Sequence, residues 1–172
     1  MLTKLINNAL IVAVCLTVAG CGFALRGNTS IDKDMQPIYV VNDRESKELS
    51  LSLKRQFAIN DVAVSKHRKD AKLIVVIKLL DEEKRSVALD REARDAEYAL
   101  FESASIELQS PDGTNLRGPH TLQQRRLIVN DPDNPVGEET ESTIVRAEMR
   151  EQLSIRLARQ VEFWSHQLQE QP

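Results

Sequence analysis

The sequence predicts an α+β fold, a two-layer sandwich with two helices on one face of a mainly antiparallel sheet of about four strands. Three observations carry this: two apolar stripes at helical spacing, one alternating segment between them, and the order strand, helix, strands, helix. Helices that are apolar on one side only must lay that side on something, and a sheet with one covered face completes the pair.

Each element has its own signature. Pro37-Ile38-Tyr39-Val40-Val41 is a short β-branched and aromatic run, suited to a first strand with proline at its start. Asn42 followed by Glu45 reads as a capping-box start. Behind it Leu49, Leu53 and Phe57 recur every four residues among polar neighbours, predicting an amphipathic helix that Asn60-Asp61 closes. Val62-Ala63-Val64 reads as a small edge strand, and Lys66 to Asp70 as a charged loop. Leu73 to Leu80 is apolar on both parities apart from Lys78, the mark of a strand near the sheet centre. Its continuation, Asp81 to Arg85, is too charged to be buried.

From Tyr98 to Leu108 the chain alternates, with Tyr98, Leu100, Ala104, Ile106 and Leu108 on one face. Ser110-Pro111-Asp112-Gly113 is a turn, and the strand from Leu122 to Val129 is expected to return antiparallel. A loop rich in Asp, Asn and Pro then leads to Glu138-Glu139-Thr140-Glu141, whose charges complement the start of a helix. Val145, Met149, Leu153, Leu157, Val161, Trp164 and Leu168 step by three or four along it, predicting one long amphipathic helix.

The first residues are of another kind. Lys4, the apolar run from Ala9 to Ala19 and Val18-Ala19-Gly20-Cys21 read as an export signal ending at a cysteine. A transmembrane span is the alternative, but it needs about 20 apolar residues, and Asn7, Asn8 and Gly20 leave this run shorter. Cys21 behind Ala-Gly resembles the bacterial lipobox, which implies a diacylglycerol on the Cys21 sulfur and cleavage after Gly20. The expected organisation is a removed signal over 1–20, a lipidated tether over 21–36 and one αβ domain over 37–169.

Composition narrows the function. The chain of 172 residues has net charge −3 and few aromatics, a balance that argues against nucleic acid, which favours a basic footprint with stacking rings. Of its two cysteines, Cys15 leaves with the signal and Cys21 carries lipid, so no disulfide framework or thiolate site is expected. His67, His120 and His166 lie far apart, and no metal or cofactor is expected. No phosphate loop or nucleophile elbow occurs, so the chain reads as a binding module rather than an enzyme.

Cys21-Gly22-Phe23-Ala24-Leu25-Arg26-Gly27, Ala96-Glu97-Tyr98, Arg125-Arg126 before Asp133-Asn134-Pro135, and Ile144 to Met149 together resemble the LptE family of lipopolysaccharide-assembly lipoproteins. The resemblance implies a lipid-anchored protein of the outer membrane, with its body in the periplasm or in the lumen of its partner, the LptD β-barrel. It implies support of that barrel's assembly and binding of lipopolysaccharide. Gly22, where aspartate retains lipoproteins in the inner membrane of enterobacteria, agrees with the outer membrane.

Lipopolysaccharide presents phosphates and acyl chains, and arginine suits phosphate through its planar fork of donors. The candidate contacts are Lys84 and Arg85, Arg91 and Arg94 at a hairpin tip, Arg125 and Arg126, and Arg146 early in the last helix. Two other readings are kept: an accessory lipoprotein of another envelope transport system, and an envelope hydrolase with a dispersed site.

Overall fold

The computed structural model describes residues 31–41, 44–130 and 135–170. The export signal, Cys21, the tether up to residue 30, Asn42 and the loop over 131–134 lie outside the described residues. The elements are β1 (Ile38–Val40), α1 (Lys47–Ile59), β2 (Leu73–Leu89), β3 (Asp95–Gln109), β4 (Asn115–Val129) and α2 (Pro135–Gln169). The sheet runs β1-β2-β3-β4, with β1 parallel to β2 and the other neighbours antiparallel. This is the α+β sandwich expected from the sequence.

Both stripes meet one core. Leu49, Leu53 and Phe57 of α1 and Leu153, Leu157, Val161 and Trp164 of α2 pack with Val75, Ile77, Ala104, Ile106 and Leu108 of the sheet. A smaller cluster of Tyr98, Leu100, Ile128 and Met149 continues the same layer toward the far end. Between the helices runs a polar seam: Glu151 accepts from Ser52 Oγ at 2.6 Å and from Gln56 Nε2, and Ser154 Oγ donates to Ser52 Oγ at 3.2 Å.

Several boundaries differ from the sequence reading. Helix α1 begins after Ser46, not at a capping box on Asn42, and the Ser46 hydroxyl accepts from Leu79 N–H at 2.8 Å instead of capping its own helix. Thus the helix start is sewn to β2. Val62 to Val64 is not a strand; Val64 makes one isolated parallel bridge to Ile38. The charged continuation of β2 is exposed yet stays extended through Leu89, because β3 supplies its backbone partners along that length.

Residues 31–36, placed in the tether by the sequence, fold onto the body. Ile31 is buried in the core, and Gln36 donates to Ile31 O at 2.6 Å while accepting from Ala63 N–H at 2.7 Å. Helix α2 starts at Pro135, a turn before the acidic residues that the sequence put first. Proline suits that position because the first helical N–H groups have no intrahelical acceptor.

Candidate functional site: a basic and apolar sheet end beside a buried glutamate

The far end of the sheet is built by the β2–β3 hairpin and the end of β4. Asp90 organises the tip: its Oδ1 accepts from the N–H groups of Glu92 and Arg94 at 2.9 and 2.8 Å, and its Oδ2 from Arg94 Nε at 2.8 Å. Those bonds hold the Asp90 carboxyl below the usual carboxylate range, the Arg94 backbone N–H first among them. Asn130 ties β4 to the same corner, donating from Nδ2 to Asp95 O at 2.7 Å. Leu89, Asp90, Arg91, Arg94, Ala96 and Asn130 line a groove of about 600 Å³ there.

The candidate cations divide between two faces. Paired residues on neighbouring strands share a face, so Lys84 and Arg126, both opposite Leu100, look toward the helices. Arg85 and Arg125 lie on the other face with Phe101; their guanidinium carbons stand 4.9 and 5.8 Å from its ring centroid. Lys84 is 4.0 Å from the Tyr98 ring centroid and pairs with Glu138; Arg85 pairs with Glu83 and Arg94 with Asp90. Arg91, Arg125 and Arg126 have no ion pair among the described residues.

Around them Val87, Leu89, Leu127 and Val129 are exposed, the last two at 56% and 75%. Guanidinium groups with no ion pair among the described residues and exposed aliphatic side chains thus share one end of the molecule. Arg146 belongs elsewhere: it projects from α2 and is half-buried, with Nη1 buried and without a hydrogen-bond partner among the described residues.

Sequence reading missed what lies beside Arg146. Glu102 falls on the helix-facing side of β3 between Leu100 and Ala104, is fully buried, and pairs in register with Glu82 of β2. Arg150 of α2 reaches Glu102 Oε1 from Nε at 3.3 Å and Glu82 Oε1 from Nη2 at 3.1 Å, and also pairs with Glu48 of α1. One guanidinium therefore joins both helices and two strands. The available sequence signal was the charged residue interrupting the apolar alternation at position 102.

Burial, followed by the neighbouring Glu82 carboxyl, pushes the Glu102 carboxyl up to about 7. For Glu82 burial also favours the neutral form, but the neighbouring Glu102 carboxyl and the bond with Arg150 prevail and hold it below the usual range. Two ionised carboxylates are acceptors only, whereas one retained proton lets one donate to the other. Because Glu102 has a raised value in the fold, its contribution is complete below about pH 4.5 and is lost as pH rises through about 7. Glu102→Gln, which keeps a donor without a charge, is expected to remove about 1–2 kcal/mol of the stability lost between about pH 5 and 8. Urea unfolding at the two pH values checks this; an unchanged pH dependence would rule out Glu102 as its source.

Residues 35–161 match the family model described as LptE, lipopolysaccharide-assembly. The chain belongs to the LptE family. A relative from Photorhabdus laumondii, the LPS-assembly lipoprotein LptE, is 29% identical over 150 residues, covering 85% of this chain and 79% of its own length. The LPS-assembly lipoprotein LptE of Yersinia pestis strain Pestoides F is 28% identical over 148 residues, with 85% and 70% covered. The LptE-family fold is also that of rare lipoprotein B from Shewanella oneidensis, with TM-score 0.66, 20% identity and coverage of 77% of this chain and 98% of that one. A lipoprotein B from Nitrosomonas europaea gives TM-score 0.69 at 19% identity, covering 87% and 97%.

Proposed function

We propose that this chain is an outer-membrane lipoprotein, anchored through lipid on Cys21, that sits in the lumen of an LptD-like β-barrel, supports its assembly and binds lipopolysaccharide during insertion into the outer leaflet. Family membership and the names of the relatives support the place in lipopolysaccharide assembly. The observation that carries lipopolysaccharide contact is the far sheet end, where Arg91, Arg125 and Arg126 have no ion pair among the described residues and lie beside exposed Val87, Leu89, Leu127 and Val129. Phosphate draws the guanidinium groups, which donate paired, charge-assisted hydrogen bonds. Acyl chains suit the aliphatic side chains, whose removal from water is favourable.

The seven cations do not share the work equally in this reading. Arg91 and Arg126 are the primary phosphate donors, with Arg125 beside them on the other face. Lys84, Arg85 and Arg94 are already paired to carboxylates, and they contribute positive potential more than vacant donors. Arg146, half-buried on α2, holds the buried cluster's charge balance rather than ligand.

Charge reversal tests the assignment. Arg91→Glu combined with Arg126→Glu is expected to weaken binding of fluorescent lipopolysaccharide at least about tenfold, since each lost charge-assisted bond is worth about 1.5–3 kcal/mol. Both residues are exposed, so the unfolding midpoint is expected to hold. Unchanged affinity would reject direct contact at this end.

A further inference from the structure

The two edges of the sheet are treated differently. At β1 the edge is covered: Ile38 N–H donates to Ala63 O at 2.9 Å and Ser65 N–H to Ile38 O at 2.7 Å. At β4 the edge has two halves. Gly118-Pro119 interrupts the first, where the β3 register shifts and proline brings no N–H. The second half, Leu122 to Val129, keeps an unbroken register with β3.

Alternation along that half says which backbone groups look outward. Asn130 N–H donates inward to Ala96 O at 2.8 Å, so the even-numbered residues before it also turn to β3, and Gln123, Arg125, Leu127 and Val129 turn out. The outward carbonyl of Gln123 is taken by Arg156 Nη1 at 2.6 Å. On Arg125, Leu127 and Val129 the outward groups have no hydrogen bond among the described residues. An uncovered edge of this kind is a template for one more strand.

We propose that the Arg125–Val129 edge of β4 accepts an extended strand from a partner protein, acidic where it passes Arg125 and Arg126 and aliphatic where it passes Leu127 and Val129. Main-chain bonds to the open edge would hold such a strand, and side chains at alternate positions would select it. Charge names the occupant: β4 carries Arg117, His120, Arg125 and Arg126 and no aspartate or glutamate. A second copy of this chain, pairing β4 against β4, would offer the arginines no carboxylate and is disfavoured. The strand would share Arg125, Arg126, Leu127 and Val129 with the proposed lipopolysaccharide contact, and protection measured without lipopolysaccharide tests it separately.

The test uses the full chain and two synthetic peptides, one with adjacent Glu residues flanked by Val so that acids meet Arg125 and Arg126 and valines meet Leu127 to Val129, the other with Lys in place of Glu. The Glu peptide is expected to slow amide hydrogen exchange at Arg125, Leu127 and Val129 about tenfold, and the Lys peptide to leave it unchanged. Leu127→Pro, which removes an outward N–H and no bond to β3, is expected to abolish the effect. Arg125→Glu is expected to weaken the Glu peptide by about fivefold to tenfold and to favour the Lys peptide. Protection by neither peptide, equal protection by both, or slow exchange of these amides through self-association without peptide would overturn the proposal. Should Leu127→Pro fail to fold, the inverted preference of Arg125→Glu decides.

Discussion

Gly118→Val is expected to destabilise the fold by about 3–5 kcal/mol, read as a fall in the urea midpoint with little change in slope. Gly118 has φ +90°, a backbone conformation that side chains with a branched Cβ rarely adopt. A Cβ there would stand 2.7 Å from the Ile106 carbonyl oxygen, 3.2 Å from Glu107 Cα and 3.2 Å from Trp164 Cη2. Two of those neighbours are backbone of β3 and cannot yield cheaply. The third anchors the end of α2, and His120 meets the same indole edge-on at 6.3 Å. Strain and overcrowding therefore add at the point where β3, β4 and α2 converge. A variant within about 1 kcal/mol of the parent would show that this convergence contributes little.

Arg150→Met is expected to cost about 3 kcal/mol near pH 8 and clearly less near pH 5. Methionine keeps much of the side-chain volume, so the loss reports charge more than packing. In the parent, burial opposes the Arg150 charge, but Glu102, Glu82 and Glu48 outweigh it and hold the guanidinium proton more firmly than usual. Without Arg150, the fully buried Glu102 faces Glu82 with no cation at 3.3 Å, and the neutral form of Glu102 is favoured further. The fold then pays for deprotonation at high pH and not at low pH. An equal loss at both pH values would contradict an electrostatic role and leave packing as the cause.

What the sequence made legible was whatever repeats. Leu49, Leu53 and Phe57, the seven-residue stripe of α2, and the alternation of β3 each announce an element because burial imposes its period on many positions at once. Helix starts were less legible, since Ser46 serves β2 rather than its own helix, a tertiary bond with no local signature. The length of β2 was hidden because Asp81 to Arg85 carry no burial signal, and only pairing with β3 keeps them extended. Candidate arginines could be named one by one from composition and resemblance. Which of Lys84 and Arg85 faces the helices could not be named so, because it depends on the bulge between Leu79 and Asp81, which changes the parity of β2 up to the next irregularity after Ser86. The Glu102–Arg150 contact joins residues distant in sequence, so the single charge within an apolar alternation was its only trace.

The place in lipopolysaccharide assembly is tested most directly by purifying the tagged full-length chain from its own membranes in mild detergent and identifying what remains bound. The account predicts an outer-membrane β-barrel of the LptD kind in roughly equimolar amount, as expected for a subunit seated in a lumen. Recovery with inner-membrane transport components, and without such a barrel, would contradict it.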